Sequence, residues 1–133
     1  MTAAPISATI ADAIQEVRET FATSTVTTTA DGAGGVWVVI DPVALGPTYG
    51  QDGTWMAFLI TFAYPDADVY PHFVRPDLRR RDGAALGVGF SIAAWGPAGE
   101  PAVQISRRSN RLDPTVDTAA TKALKVLAWL NAQ

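Results

Sequence analysis

The chain has 133 residues, 48% of them hydrophobic and 17% charged, with a formal net charge of −3, which is the size and balance of one globular domain and excludes a disordered chain. It contains no cysteine, which excludes disulfides, thiolate metal sites and thiol nucleophiles. No apolar run approaches the ~20 residues of a membrane span, and the opening MTAAPISATIADAIQEVRET has acids where a secretion leader needs an unbroken apolar core, so a cytoplasmic protein is expected.

In chain order, Ser7 or Thr9 can cap a first helix in which Ile10, Ile14, Val17 and Phe21 form one apolar stripe. One stripe means one buried face, laid on a sheet. TSTVTTT, 23–29, is β-branched and polar on alternate positions, which predicts an edge strand or an extended linker, and ADGAGG, 30–35, is a turn. VWVVI, 36–40, predicts a strand ended by Asp41-Pro42. WMAFLITFA, 55–63, is apolar on both faces and predicts a central strand. YPDADVYPHFVRP, 64–76, holds three prolines. Proline has no N–H to give a ladder, so a rigid extended connection along the sheet edge is expected. GVGFSIAAW, 87–95, and AVQIS, 102–106, read as a hairpin around GPAGEP. SRRSNRLDP, 106–114, is a polar connection, and Asp113 or Thr115 can cap a last helix to about Asn131. Its predicted buried stripe is Val116, Ala120, Ala123, Leu124, Leu127 and Leu130, with Lys122 and Lys125 facing water. There is no internal repeat and no linker long enough to separate a second domain. The expectation is a single α+β domain over 1–133: an N-terminal helix, an antiparallel meander of about four strands, a proline-rich connection and a C-terminal helix.

The charge is uneven. Between 75 and 111, seven arginines stand against Asp77, Asp82 and Glu100, so this segment is +4 and the rest of the chain −7. A local basic face on an acidic protein suits an acidic partner better than bulk nucleic acid. Aromatics do not interleave with these arginines in sequence, so a nucleic-acid platform is not expected. His72 is the only histidine. It is a candidate general base or ligand, but Asp66, Asp68, Asp77 and Asp82 around it follow no metal-site spacing, and no metal or cofactor is expected. Ser91 or Ser106 could be joined with His72 in a triad, but there is no G-x-S-x-G elbow. Neither DGAGG nor GVG both follows a strand and opens a helix, so they are not a dinucleotide fingerprint. SRRSNR could grip a phosphate or carboxylate through arginine forks. Its arginines could equally stay in water while its Ser and Asn bond their own backbone.

ITFAYP, 60–65, followed by VYPHFVRPDL, resembles the ubiquitin-conjugating enzyme family, and PHFVRPDL, SRRSNRLDP and VLAWL together resemble its divergent bacterial members. The likeness spans roughly 36–130. It implies a helix, a four-stranded meander, a proline-rich stretch after the third strand and further helices. That family carries ubiquitin as a thioester on a cysteine, which this chain lacks. A serine hydroxyl ionises too weakly to replace it. The resemblance therefore implies a non-catalytic binding module with a ubiquitin-like or conjugation-pathway protein as partner; composition and patterning give no expectation of a nucleic-acid or membrane partner. The expected contact surface is Tyr70, His72, Phe73, Arg75, Arg79, Arg80 and Arg81, with Arg107 and Arg108 as a second patch. Tyr and Arg are common interface anchors. The rival expectations are a small hydrolase using His72 with Asp77 or Asp82 and an arginine, and an anion-binding domain built on SRRSNR.

Overall fold

Six antiparallel strands and two helices build the molecule, as shown by a computed structural model that describes residues 6–133. The first five residues of the expected 1–133 domain lie outside the described residues. The elements are α1 (Ala8–Thr20), β1 (Thr25–Ala30), β2 (Val36–Ala44), β3 (Gly53–Ile60), β4 (His72–Val74), β5 (Phe90–Trp95), β6 (Glu100–Ile105) and α2 (Ala119–Asn131). The sheet order is β1-β2-β3-β4-β6-β5. The class is α+β, as expected, with six strands rather than about four. Among the described residues no helix is long and apolar enough to cross a membrane.

The two extra strands have clear causes. The hairpin β5–β6 docks on β4 through its second strand, pairing His72 with Ile105 and Val74 with Val103. The proline-rich connection does enter the sheet. Its prolines flank β4 at Pro71 and Pro76 rather than interrupting it, so three residues with intact N–H groups pair with both β3 and β6. The rule that bars proline from a ladder held for the prolines and not for the residues between them. Pro42 lies within β2, where the pairing with β3 shifts register between Ile40 and Val43. A bulge there accommodates a residue that cannot donate.

Alternation divides the sheet into two faces. One carries the row Val38, Phe58, His72, Ile105 and the row Ile40, Met56, Val74, Val103. Ile10, Ile14 and Val17 of α1 and Ala119, Ala123, Val126 and Leu130 of α2 pack on this face, giving the main core. The other face carries Val39, Ala57 and Phe73 in one row. There Trp37, Trp55 and Trp95 close over Ala57, Phe73 and Ala102, and no helix among the described residues joins this cluster. Ring centroids lie 5.8 Å apart for Trp37–Trp95 and 5.2 Å for Trp55–Trp95.

Both helices are capped by side chains. Ser7 accepts from Ile10 N–H at 3.1 Å, one of the two expected caps. The second helix starts later than expected. Thr118, not Asp113 or Thr115, caps it, in a reciprocal capping box with Thr121. Asp113 instead closes a turn, accepting from the Thr115 N–H and hydroxyl. Thr118 also donates to Glu16 of α1, which ties the helices together. The buried stripe of α2 is rotated relative to expectation. Val116 and Leu124 are exposed, while Lys122 is 7% exposed.

Candidate functional site

Lys122 escapes water because its ammonium has three acceptors inside. It donates to both Asp68 oxygens at 3.1 and 3.0 Å and to Ser109 Oγ at 2.8 Å. Ser109 in turn donates its N–H and its hydroxyl to Asp68 at 2.7 and 2.9 Å. Every charge in the cluster is matched, as a buried ion pair requires. Burial alone would raise the Asp68 carboxyl, but the Ser109 N–H, the Lys122 ammonium and the Ser109 hydroxyl outweigh it and hold the group below 3.8. The cluster pins three distant segments together: the connection before β4, the SRRSNR segment and α2. The Ser109 hydroxyl accepts from a lysine whose ammonium is held by a carboxylate. Its own proton is directed at that same carboxylate, so the three groups hold one another in a closed staple.

With the SRRSNR segment fixed at Ser109, its arginines fall beside aromatic rings. The Arg108 guanidinium sits 4.2 Å from the Tyr70 ring centroid. That of Arg107 sits 5.0 Å from the Trp129 ring on α2, and Trp129 is backed by Phe90 at 5.1 Å. Gly89 permits this approach. A Cβ there would lie 3.0 Å from the Trp129 ring, and its φ of +96° also favours glycine. A guanidinium over an aromatic face is held by the ring quadrupole while its N–H edge stays available. Arg107, Arg108, Arg111, Lys125 and Trp129 line an open groove of about 480 Å³ along α2, with Ser109 and Lys122 also among its lining residues.

The other arginines are differently placed. Arg75 forks onto Asp77 at 2.6 and 2.9 Å and also donates to Gly53 O. Arg80 forks onto Asp82 at 3.1 and 3.0 Å. Arg81 donates to the carbonyls of Pro47 and Tyr49. Gln51 accepts from Arg79 N–H and donates to Asp77 O. The segment 75–83 is thus stitched to the loop before β3, with an isolated bridge between Tyr49 and Arg80. Arg80 and Arg81 line one groove, Arg75 another, and the arginines of the second patch a third.

His72 and Phe73, expected on a contact surface, are core residues, 0% and 5% exposed. They belong to a strand with neighbours on both sides, so each points into one packed face of the sheet. His72 packs against Phe58 with ring centroids 5.1 Å apart, and among the described residues neither ring nitrogen has a hydrogen-bond partner. Burial, helped by the positive charge of Lys122 and opposed by Asp68, lowers its pKa to about 3. No part of its ring is exposed to touch a substrate. Among the described residues no group of three or more His, Asp or Glu is placed to hold a metal.

The structure therefore unites Tyr70, Arg107 and Arg108 and leaves Arg75 and Arg79–Arg81 elsewhere. Sequence reasoning missed Trp129 and the Asp68–Ser109–Lys122 staple, and it named Arg111 only as part of SRRSNR. The aromatics do meet the arginines, but they arrive from residues 70 and 129, far along the chain. The only signal was a lysine placed three after Ala119 and four before Val126, on the stripe that proved to be buried. No family model, curated protein or solved structure matches this chain.

Proposed function

We propose that this protein is a non-catalytic protein-binding domain of the ubiquitin-conjugating-like kind, and that it binds through the groove lined by Arg107, Arg108 and Trp129, with Tyr70 holding Arg108 beside it. One observation carries the reading: two arginines are held over aromatic rings beside an open groove. Aromatic and arginine side chains immobilised before contact are the usual anchors of protein interfaces, because little rotamer freedom is left to lose. The only histidine is wholly buried in the core and does not line this groove, which favours binding over acid–base chemistry there. The family likeness is supported by the helix-first order, the antiparallel β1-β2-β3 run and the proline-rich stretch after the third strand. By that likeness the partner is a ubiquitin-like or conjugation-pathway protein.

The test is co-purification from host lysate with three tagged baits: wild type, Arg107→Ala/Arg108→Ala and Arg80→Ala/Arg81→Ala. A specific partner is expected with the first and third baits and not with the second. A partner retained by Arg107→Ala/Arg108→Ala, or lost only from Arg80→Ala/Arg81→Ala, would move the interface to the other arginines. An enzymatic activity abolished by Arg107→Ala/Arg108→Ala would replace the binding reading altogether.

A further inference from the structure

The ten basic side chains of the protein divide sharply by what they already hold. Arg18, Arg75, Arg80, Arg81, Lys122 and Lys125 each reach a carboxylate or a backbone carbonyl. Among the described residues Arg79, Arg107, Arg108 and Arg111 reach none. Three of those four, all but Arg79, line the single groove along α2. The one carboxylate there, Asp117, is shared with Lys125 at 3.5 Å and with the Asp113 N–H. The staple below is neutral, since Asp68 balances Lys122. The groove thus concentrates unneutralised positive charge on a protein whose net charge is −3.

We infer that this groove takes an extended acidic peptide segment of a partner protein, with spaced carboxylates meeting Arg107, Arg108 and Arg111 and an apolar side chain lying against Trp129. The inference rests on the binding reading above and supplies its partner chemistry. The length of the groove favours an extended segment over a compact anion. Arg107 is held at Trp129, while Lys122, seven residues earlier on α2, marks the other part of the lining. At 1.5 Å rise per residue that is ~10 Å of groove. Arg108 is drawn aside to Tyr70. One phosphate needs donors that converge on a point, whereas an extended chain advancing ~3.3 Å per residue would set about three residues along this length. Arginine forks bind carboxylates in pairs of hydrogen bonds, and the groove's aromatic wall offers an apolar contact between them.

The experiment is fluorescence anisotropy with a labelled decapeptide of alternating Glu and Leu, against its Lys-for-Glu counterpart and with inorganic phosphate as competitor. Saturable binding of the Glu peptide alone is expected. It should weaken at least tenfold in Arg107→Ala/Arg111→Ala, with an unchanged thermal midpoint showing that the variant is folded. It should also weaken as salt rises, because screening over ~10 Å at 0.1 M reaches exposed charges. Three results would overturn the inference: no saturation at millimolar peptide, equal affinity in the variant, or displacement by low-millimolar phosphate, which would mark a compact anion site. If the peptide fails to bind while Arg107→Ala/Arg108→Ala still loses its co-purified partner, the groove is the interface and acidic-peptide recognition is wrong. If the peptide binds and the partner is retained by that variant, the acidic-peptide chemistry stands and the binding-module reading is wrong.

Discussion

Replacing His72 with leucine should leave the protein as stable as wild type at pH 7.5, or more so, and remove much of its sensitivity to mild acid. The ring is wholly buried and both nitrogens lack partners. An unmatched buried polar group costs about 1–3 kcal/mol, so an apolar side chain of similar volume escapes that cost. The acid response follows from linkage. The pKa of the folded state is about 3 against 6.5 for the free group, so the unfolded chain binds the proton first. The contribution of neutral His72 is complete above pH 6.5, falls as pH drops through that value and levels off below about 3. The expected loss in wild type, relative to pH 8, is about 2 kcal/mol at pH 5 and about 2.7 kcal/mol at pH 4.5. Asp68, whose charge acts on this ring, is held below the usual carboxylate range by Ser109 and Lys122. The assay is urea unfolding followed by tryptophan fluorescence at pH 7.5, 6, 5 and 4.5. The quantity that matters is the difference between wild type and His72→Leu, which cancels the other carboxylates. Since His72 is the only histidine, its proton resonance can also be titrated without assignment. Parallel stability curves for the two proteins, or a resonance midpoint near 6.5, would refute the buried neutral ring.

Lys122→Met strands the Asp68 carboxylate. Breaking one side of a buried pair costs about 3–5 kcal/mol, and the 20% exposure of the Asp68 side chain places this near the lower figure; a loss under about 1 kcal/mol in urea unfolding would mean that the pair is solvated. Asp68→Asn/Lys122→Met should recover some of that loss. The lowered Asp68 carboxyl contributes stability that is present above about pH 3.8 and is lost as pH falls below it, so wild type should show this acid-side decline and the double variant should not. Thr118→Ala removes the cap of α2 and the link to Glu16 and should cost about 1 kcal/mol, with Thr118→Ser close to neutral, as read by thermal midpoints. Ile92→Asp should change stability by less than about 0.5 kcal/mol, because Ile92 is 88% exposed although it shares a row with Val103. Met56→Ala in the same row should cost about 2–5 kcal/mol.

Periodicity made much of the fold legible. A stripe at Ile10, Ile14 and Val17 can only be buried by lying on a sheet, and a run as apolar as 55–60 has to be covered on both faces. The edge position of the threonine-rich strand, the β5–β6 hairpin and the helix at each end follow from such local rules. What the sequence could not contain is which long-range neighbour each polar group meets. Lys122 reads as a surface residue until Asp68 and Ser109 arrive from 54 and 13 positions away. His72 reads as reactive until strands on both sides enclose it. Arginines at 75, 80 and 81 look free until each finds an acceptor within the loop or across it, while those at 107 and 108 remain without a carboxylate. Hydrophobic pattern is a property of neighbouring residues and determines elements and faces. Charge neutralisation and desolvation are properties of residues distant in the chain, so only tertiary structure decided which basic side chains were left available to bind.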